Sequence, residues 1–216
     1  MLVYVDTDRQ PETVGRYQIV DLPTLIFLTP DGGVLLRLEN EFRDPTIERV
    51  LAGVAEARRR WDAVRADEDL WRRKAAVAPD DPEPPMRLGR LYYNLMLHAK
   101  ARPHLERAVA LDPEARHPDA AHARLLATYA CVKTREYERA RDLAREFVAR
   151  WPDHVEAPRQ LYYLGVAYYH LGKRDRADQA WREVGSRWPG TTWERRARES
   201  LALPAQRGAA PADEKD

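Results

Sequence analysis

Few residues in the chain could do covalent chemistry. Cys131 is the single cysteine, so an internal disulfide, a CxxC pair and a cysteine-built zinc site are excluded. It lies in an apolar helical stretch and is expected to be a buried structural thiol. The six histidines (His98, His104, His117, His122, His154 and His170) form no HxxxH or HExxH pair. No metal site and no cofactor is expected from them. Ser186 and Ser200 are the only serines and offer no nucleophile–base arrangement. Asp31-Gly32-Gly33 reads as a hairpin turn rather than a phosphate-binding loop. Arg58-Arg59-Arg60 reads as a basic helix end that complements the helix dipole, not as a nucleic-acid contact. Arginine and tyrosine remain, and both favour binding: they give large contact area at low entropic cost. The chain as written is expected not to be an enzyme.

The wider composition agrees. The chain has 216 residues and is 44% hydrophobic, enough for one large domain or two small ones with a core. The net charge is +1 and gives no field for nucleic acid. Residues 1–60 hold eight basic and ten acidic side chains and the rest 28 and 25. No apolar run approaches the roughly 18–20 residues of a membrane helix. Met1 leads straight into Leu2-Val3-Tyr4-Val5 with no basic n-region. A cytoplasmic location is expected for the chain as written, and a periplasmic one if the natural start lies upstream.

The elements change character along the chain. Residues 2–5 read as a buried strand and 11–18 as a short helix with Pro11 in its first turn. Thr24–Leu28 and Val34–Glu39 read as strands of a hairpin closed by Thr29-Pro30-Asp31-Gly32-Gly33. Asp44 is expected to cap a helix with Pro45 at its first position. Ile47, Val50, Leu51 and Val54 would form its apolar stripe. After residue 60 every segment reads as helical, and 67–79 reads as a degenerate second helix capping a repeat array. LGRLYY at 88–93 recurs as LGVAYY at 164–169, and RWP at 150–152 recurs at 187–189. Pro79, Pro113, Pro152 and Pro189 stand 34, 39 and 37 residues apart, a period that marks such an array of helices. This gives an α+β segment over 1–60, repeats over 61–203 (units 82–115, 121–154 and 158–191) and a disordered tail over 204–216.

In this region the chain resembles the tetratricopeptide repeat family. Leu88-Gly89, Tyr92, Ala101, Leu105, Ala108 and Pro113 carry the resemblance in one unit. Leu164-Gly165, Tyr168, Ala177, Trp181, Val184 and Pro189 carry it in another. The middle unit keeps Tyr137, Ala140 and Pro152 but has Thr128 and Cys131 where the family has glycine and tyrosine. The resemblance implies a protein or peptide partner held on the concave face of the first helices. On that face the sequence offers Arg87, Arg90, Tyr93 and Asn94, then Leu126, Tyr129 and Lys133, then Arg159, Tyr162, Tyr163, Tyr169 and His170. These types suit a ligand of acidic and aromatic character.

Residues 1–60 resemble the C-terminal half of a thioredoxin-like fold, through VDTDRQPETVGRYQIVDLPTLIFLTPDGGVLLRLE. The Leu22-Pro23-Thr24 motif implies a cis proline beside the redox site. The resemblance places the dithiol upstream of Met1, either absent from the protein or missing from a truncated chain. The fold class expected is therefore an α+β thioredoxin-like fragment followed by an all-α repeat array. The function expected is a partner-binding scaffold, with a thiol:disulfide oxidoreductase or co-chaperone as the alternative.

Overall fold

The computed structural model describes residues 5–22, 24–39 and 47–203. The expected strand at 2–5 falls almost wholly outside these residues, and Val5 itself is not in a strand. Pro23, the Asp44-Pro45 helix start and the tail 204–216 also lie outside them. The chain divides into two compact units, residues 1–70 with Asn94–Leu97, and residues 71–93 with 98–216.

The first unit is built on a hairpin. Helix α1 (Pro11–Tyr17) precedes strands β1 (Thr24–Leu28) and β2 (Val34–Glu39), which pair antiparallel. Gly32 adopts φ +83° in the turn, a conformation that only glycine enters without cost. The Gly33 N–H donates to Thr29 Oγ1 at 2.8 Å. Leu25 and Phe27 lie opposite Leu38 and Leu36 on one face of the hairpin. Arg37 donates to the carbonyls of Tyr17 and Gln18, closing the C-terminal end of α1.

Helix α2 runs unbroken from Ile47 to Val77. The separate helix expected at 67–79 is therefore part of it. The physical reason is plain: between Gly53 and Pro79 there is neither a glycine nor a proline to stop a helix. Residue 60 lies inside this helix. The expected apolar stripe also turns out differently. Ile47, Leu51 and Val54 are exposed, whereas Gly53 and Ala57 are buried. A Cβ on Gly53 would stand 2.9 Å from the Phe27 ring, so the closest approach selects the smallest residues rather than the apolar ones.

The second unit stacks antiparallel helix pairs. Its helices are α3 (Glu83–Asn94), α4 (His98–Leu111), α5 (Ala120–Lys133), α6 (Tyr137–Arg150), α7 (Ala157–His170), α8 (Arg174–Arg187) and α9 (Thr192–Leu201). Within a pair, the glycine of the first helix receives a large side chain from the second. A Cβ on Gly89 would meet Leu105 Cγ at 2.5 Å, and one on Gly165 would run into the Trp181 indole. Leu161, Leu164, Tyr168, Ala177, Trp181 and Val184 share one buried cluster. The Trp181 indole N–H donates to the Tyr162 carbonyl at 3.2 Å, so the ring is buried without an orphan donor. In the middle pair, Thr128 and Cys131 are both fully buried, and Thr128 Oγ1 donates to the Arg124 carbonyl at 2.9 Å.

Gly165→Ala is expected to lower stability by about 1–3 kcal/mol through overpacking against Trp181. Gly185→Ala, whose new Cβ would meet only Glu194 Cγ at 3.8 Å, is expected to be neutral or to stabilise by about 0.5–1 kcal/mol. Urea denaturation followed by circular dichroism measures both.

Candidate functional site

The first helices of successive pairs share a face lined by aromatic rings. Tyr93 on α3, Tyr129 on α5 and Tyr163 on α7 stand 36 and 34 residues apart in sequence. In space they adjoin. The ring centroids of Tyr93 and Tyr129 are 5.5 Å apart and those of Tyr129 and Tyr163 5.4 Å, both edge-to-face. The line continues to Trp193 on α9 at 6.0 Å from Tyr163, and Tyr162 lies 5.5 Å from the same indole. His98, the first residue of α4, packs edge-on against Tyr93 and Tyr129 at 5.4 and 5.3 Å. Each edge-to-face pair sets the positive ring edge against a neighbour's negative face, worth about 0.5–1.5 kcal/mol beyond area.

Arg159 sits at the centre of this ribbon. Its guanidinium carbon lies 5.5 Å from the Tyr129 centroid, 5.8 Å from Tyr163 and 5.9 Å from Trp193, cation–π range in each case. Nη2 donates to Tyr93 Oη at 3.1 Å. Nη1 stands 3.7 Å from Glu156 Oε2, beyond hydrogen-bond reach. Nε is buried and has no partner. Burial opposes the charge of this guanidinium, but the Tyr93 and Tyr163 oxygens and Glu156 outweigh that and raise its pKa. Burial likewise pushes the Tyr93 and Tyr163 phenols above their ordinary values, so both keep their protons as donors at neutral pH.

Further cations stand around the ribbon. Lys133 stands over Tyr129 at 5.3 Å and Arg196 over Trp193 at 4.8 Å. Arg90 is exposed near His122. None of these three has a carboxylate within salt-bridge distance among the described residues.

The other expected site residues divide. Tyr163 is 8% exposed and Tyr162 half-buried. Arg87 pairs with Glu83 at 3.2 Å and stands over Trp71 at 5.4 Å, outside the ring contacts of the ribbon. Asn94 is the exposed last residue of α3. Tyr169 packs on Trp181 at 5.9 Å, and His170 stacks on Tyr137 at 4.3 Å, so this pair forms a separate aromatic group. Leu126, expected on the outward face, is 4% exposed: it packs inward because α5 is covered by both neighbouring pairs. In the Leu22-Pro23-Thr24 motif, Leu22 is exposed and Thr24 opens β1. Among the described residues no group of three His, Cys, Asp or Glu is placed to hold a metal. No helix among them is long and apolar enough to cross a membrane.

Sequence reasoning misses three residues. Trp193 has the surroundings of a solvating helix but ends the ribbon. His98 reads as one of six scattered histidines but lies within it. Arg124 is 1% exposed and clasps the middle pair: Nε donates to Glu146 Oε1 at 3.0 Å and Nη2 to the Asp112 carbonyl at 2.8 Å. It stands four residues before Thr128, as Leu161 stands four before Gly165, and that offset is the one signal of its burial.

The comparisons with known proteins agree with this architecture. The family model described as Tetratricopeptide repeat matches residues 161–191, which hold most of α7, all of α8 and the turn after it. No curated protein matches the chain. Among solved structures, a crystal structure of MamA superposes with a TM-score of 0.52 at 23% identity, covering 73% of this chain and 81% of that one. A second crystal structure of MamA protein gives 0.54 at 22%, covering 70% and 77%. The nearly identical TPR-like repeats of a putative kinesin light chain from Podosopora anserina give 0.51 at 16%, covering 71% and 82%. Residues 161–191 thus match a tetratricopeptide repeat, and the helical array shares the fold of TPR-like repeats.

The buried titratable groups lead to two expected outcomes. Burial, with Glu106 beside it, pushes the Cys131 thiol up to about 12, so the thiolate that attacks a disulfide is scarce. A thiol-titrating aromatic disulfide at pH 8 is expected to label Cys131 only on unfolding, and the chain is expected to reduce insulin no faster than background. Burial, with Lys133 nearby, lowers the His98 pKa from 6.5 to about 4. Between these values the unfolded chain binds the proton more readily, so stability falls as pH drops from about 6.5 to 4. His122 and His170 are lowered in the same direction. The urea midpoint should decline over this window, and less steeply in His98→Gln.

Proposed function

We propose that the chain is a non-enzymatic interaction scaffold that holds a segment of a partner protein along the face of α3, α5, α7 and α9. The observation that carries this reading is the ribbon of Tyr93, Tyr129, Tyr163 and Trp193 around Arg159, with Arg90, Lys133 and Arg196 beside it. Amphipathic aromatic rings and arginine are the residue types that anchor interfaces. A positive rim favours acidic partners and speeds their encounter. Every part of the reading uses residues present in the chain.

A pull-down from the source cells with the full chain and with a Tyr93→Ala/Tyr129→Ala/Lys133→Ala variant tests it. Partners recovered by the full chain are expected to be lost from the variant, provided its helical circular dichroism is kept. Equal recovery by both proteins would reject the ribbon as the binding surface.

A second reading rests on the order α1–β1–β2–α2, which is the order expected for the C-terminal half of a thioredoxin-like fold. In that reading the first unit is the terminal part of a thiol:disulfide oxidoreductase or co-chaperone whose dithiol is encoded upstream of Met1. An in-frame Trp-Cys-x-x-Cys-like segment in the DNA upstream of Met1 would support it, and a stop codon directly before Met1 would end it.

A further inference from the structure

Arg159 is a cation whose surroundings leave most of its hydrogen-bonding capacity unused. A guanidinium has five N–H donors. Here one bond within 3.5 Å is made, to Tyr93 Oη at 3.1 Å, and the Tyr163 hydroxyl is a further, weaker partner. Glu156 is held off at 3.7 Å. The rings of Tyr129, Tyr163 and Trp193 surround its carbon at 5.5, 5.8 and 5.9 Å, and π faces attract the charge but accept no strong hydrogen bond. A partly buried charge in this condition gains most from a close carboxylate, since charge-assisted bonds strengthen as water is excluded.

Resting on the groove reading above, we infer that Arg159 is the carboxylate receptor of the ribbon and that Glu156 is its internal competitor. The ligand group is the side-chain carboxylate of an Asp or Glu within an extended segment. It takes the Nη1 side of the guanidinium and displaces Glu156, which moves to solvent. The Tyr93 oxygen already accepts from Nη2, so its own proton is left to donate to the incoming carboxylate. A chain end is the poorer fit. Arg159 lies midway along a ribbon contributed by four helices, so a segment ending there would leave half of the rings uncovered. Lys133 and Arg196 stand over rings of the ribbon and Arg90 lies near His122, none with a carboxylate within salt-bridge distance among the described residues, which suits a segment bearing several acids.

Glu156 gives the inference its sharpest consequence. It lies at the cap position preceding α7, where its side chain makes no capping hydrogen bond. Its removal therefore takes away a competitor at Arg159 and costs α7 no capping hydrogen bond. A gain of affinity on its removal is something a purely structural role would not produce.

The test uses a fluorescently labelled random copolymer of glutamate and tyrosine, binding to the full chain followed by anisotropy. Arg159→Gln is expected to weaken binding about tenfold or more, the value of a charge-assisted hydrogen bond. Arg159→Lys, which keeps the charge but loses the fork, should fall between this and the unaltered protein. Glu156→Gln should tighten binding about two- to fivefold. Arg145→Gln on α6, where the side chain is 68% exposed, should leave it unchanged. Unaltered affinity in Arg159→Gln, no gain in Glu156→Gln, or an equal loss in Arg145→Gln would each overturn the inference. So would competition by tetraalanine, which offers a terminal carboxylate and no acidic side chain. Should Arg159→Gln fail to fold, Glu156→Gln and Arg159→Lys decide. The failures separate cleanly. If the Tyr93→Ala/Tyr129→Ala/Lys133→Ala variant loses the copolymer while Arg159→Gln keeps it, the groove stands and the receptor falls. If both bind like the unaltered chain, the groove falls as well.

Discussion

A pair of helices this short has too little surface to bury its own apolar face, and most of the second unit follows from that constraint. Each helix has two sides to cover. One side meets its partner within the pair, at a distance set by Gly89 against Leu105 or Gly165 against Trp181. The other side meets the next pair. The stack has to end somewhere, and α9 covers the last pair with Ala197 and Ser200 turned inward while most of its charged side chains remain in solvent. Arg174 then closes the end of α9 by donating to the carbonyls of Leu201 and Leu203 at 2.8 and 2.7 Å.

The same constraint explains why the aromatic face exists. The positions that pack the pairs are taken by Leu161, Leu164 and Tyr168, which are buried in the cluster with Trp181. What remains on the first helices is a row that neighbouring pairs bring into register, one ring from each. Tyr93, Tyr129 and Tyr163 are far apart in sequence and adjacent in space because stacking translates each pair by one layer. Residues with no local reason to meet thereby become one surface, and Arg159 ties three layers together through its rings and its bond to Tyr93.

Much of this is legible in the sequence, for local reasons. The turn Thr29–Gly33 needs glycine at φ +83° and has it. The helix pairs announce themselves through small and large residues at fixed offsets, and those offsets are packing distances written into the chain. Where the reasons are tertiary, the sequence misleads. Ile47, Leu51 and Val54 look like a core stripe, yet Phe27 leaves room only for Gly53 and the buried face turns to Gly53 and Ala57. Arg124 gives little sign of burial, because its partners Asp112 and Glu146 belong to the loop before it and the helix after it. Trp193 looks like part of a solvating helix because nothing in the local sequence says that Tyr163 will be waiting beside it. Tyr169 and His170 have the right types but face Trp181 and Tyr137.

The spacing of the ribbon sets a ruler for whatever lies on it. The steps from Tyr93 through Tyr129 and Tyr163 to Trp193 are 5.5, 5.4 and 6.0 Å. An extended chain advances about 3.3 Å per residue, so at most about five residues span all four rings. If the ribbon is the proposed groove, a window that short takes a motif rather than a surface. With one ring supplied by each layer, the number of stacked pairs fixes the length of the word that can be read, and a duplication or loss of one pair would change that length by one or two residues.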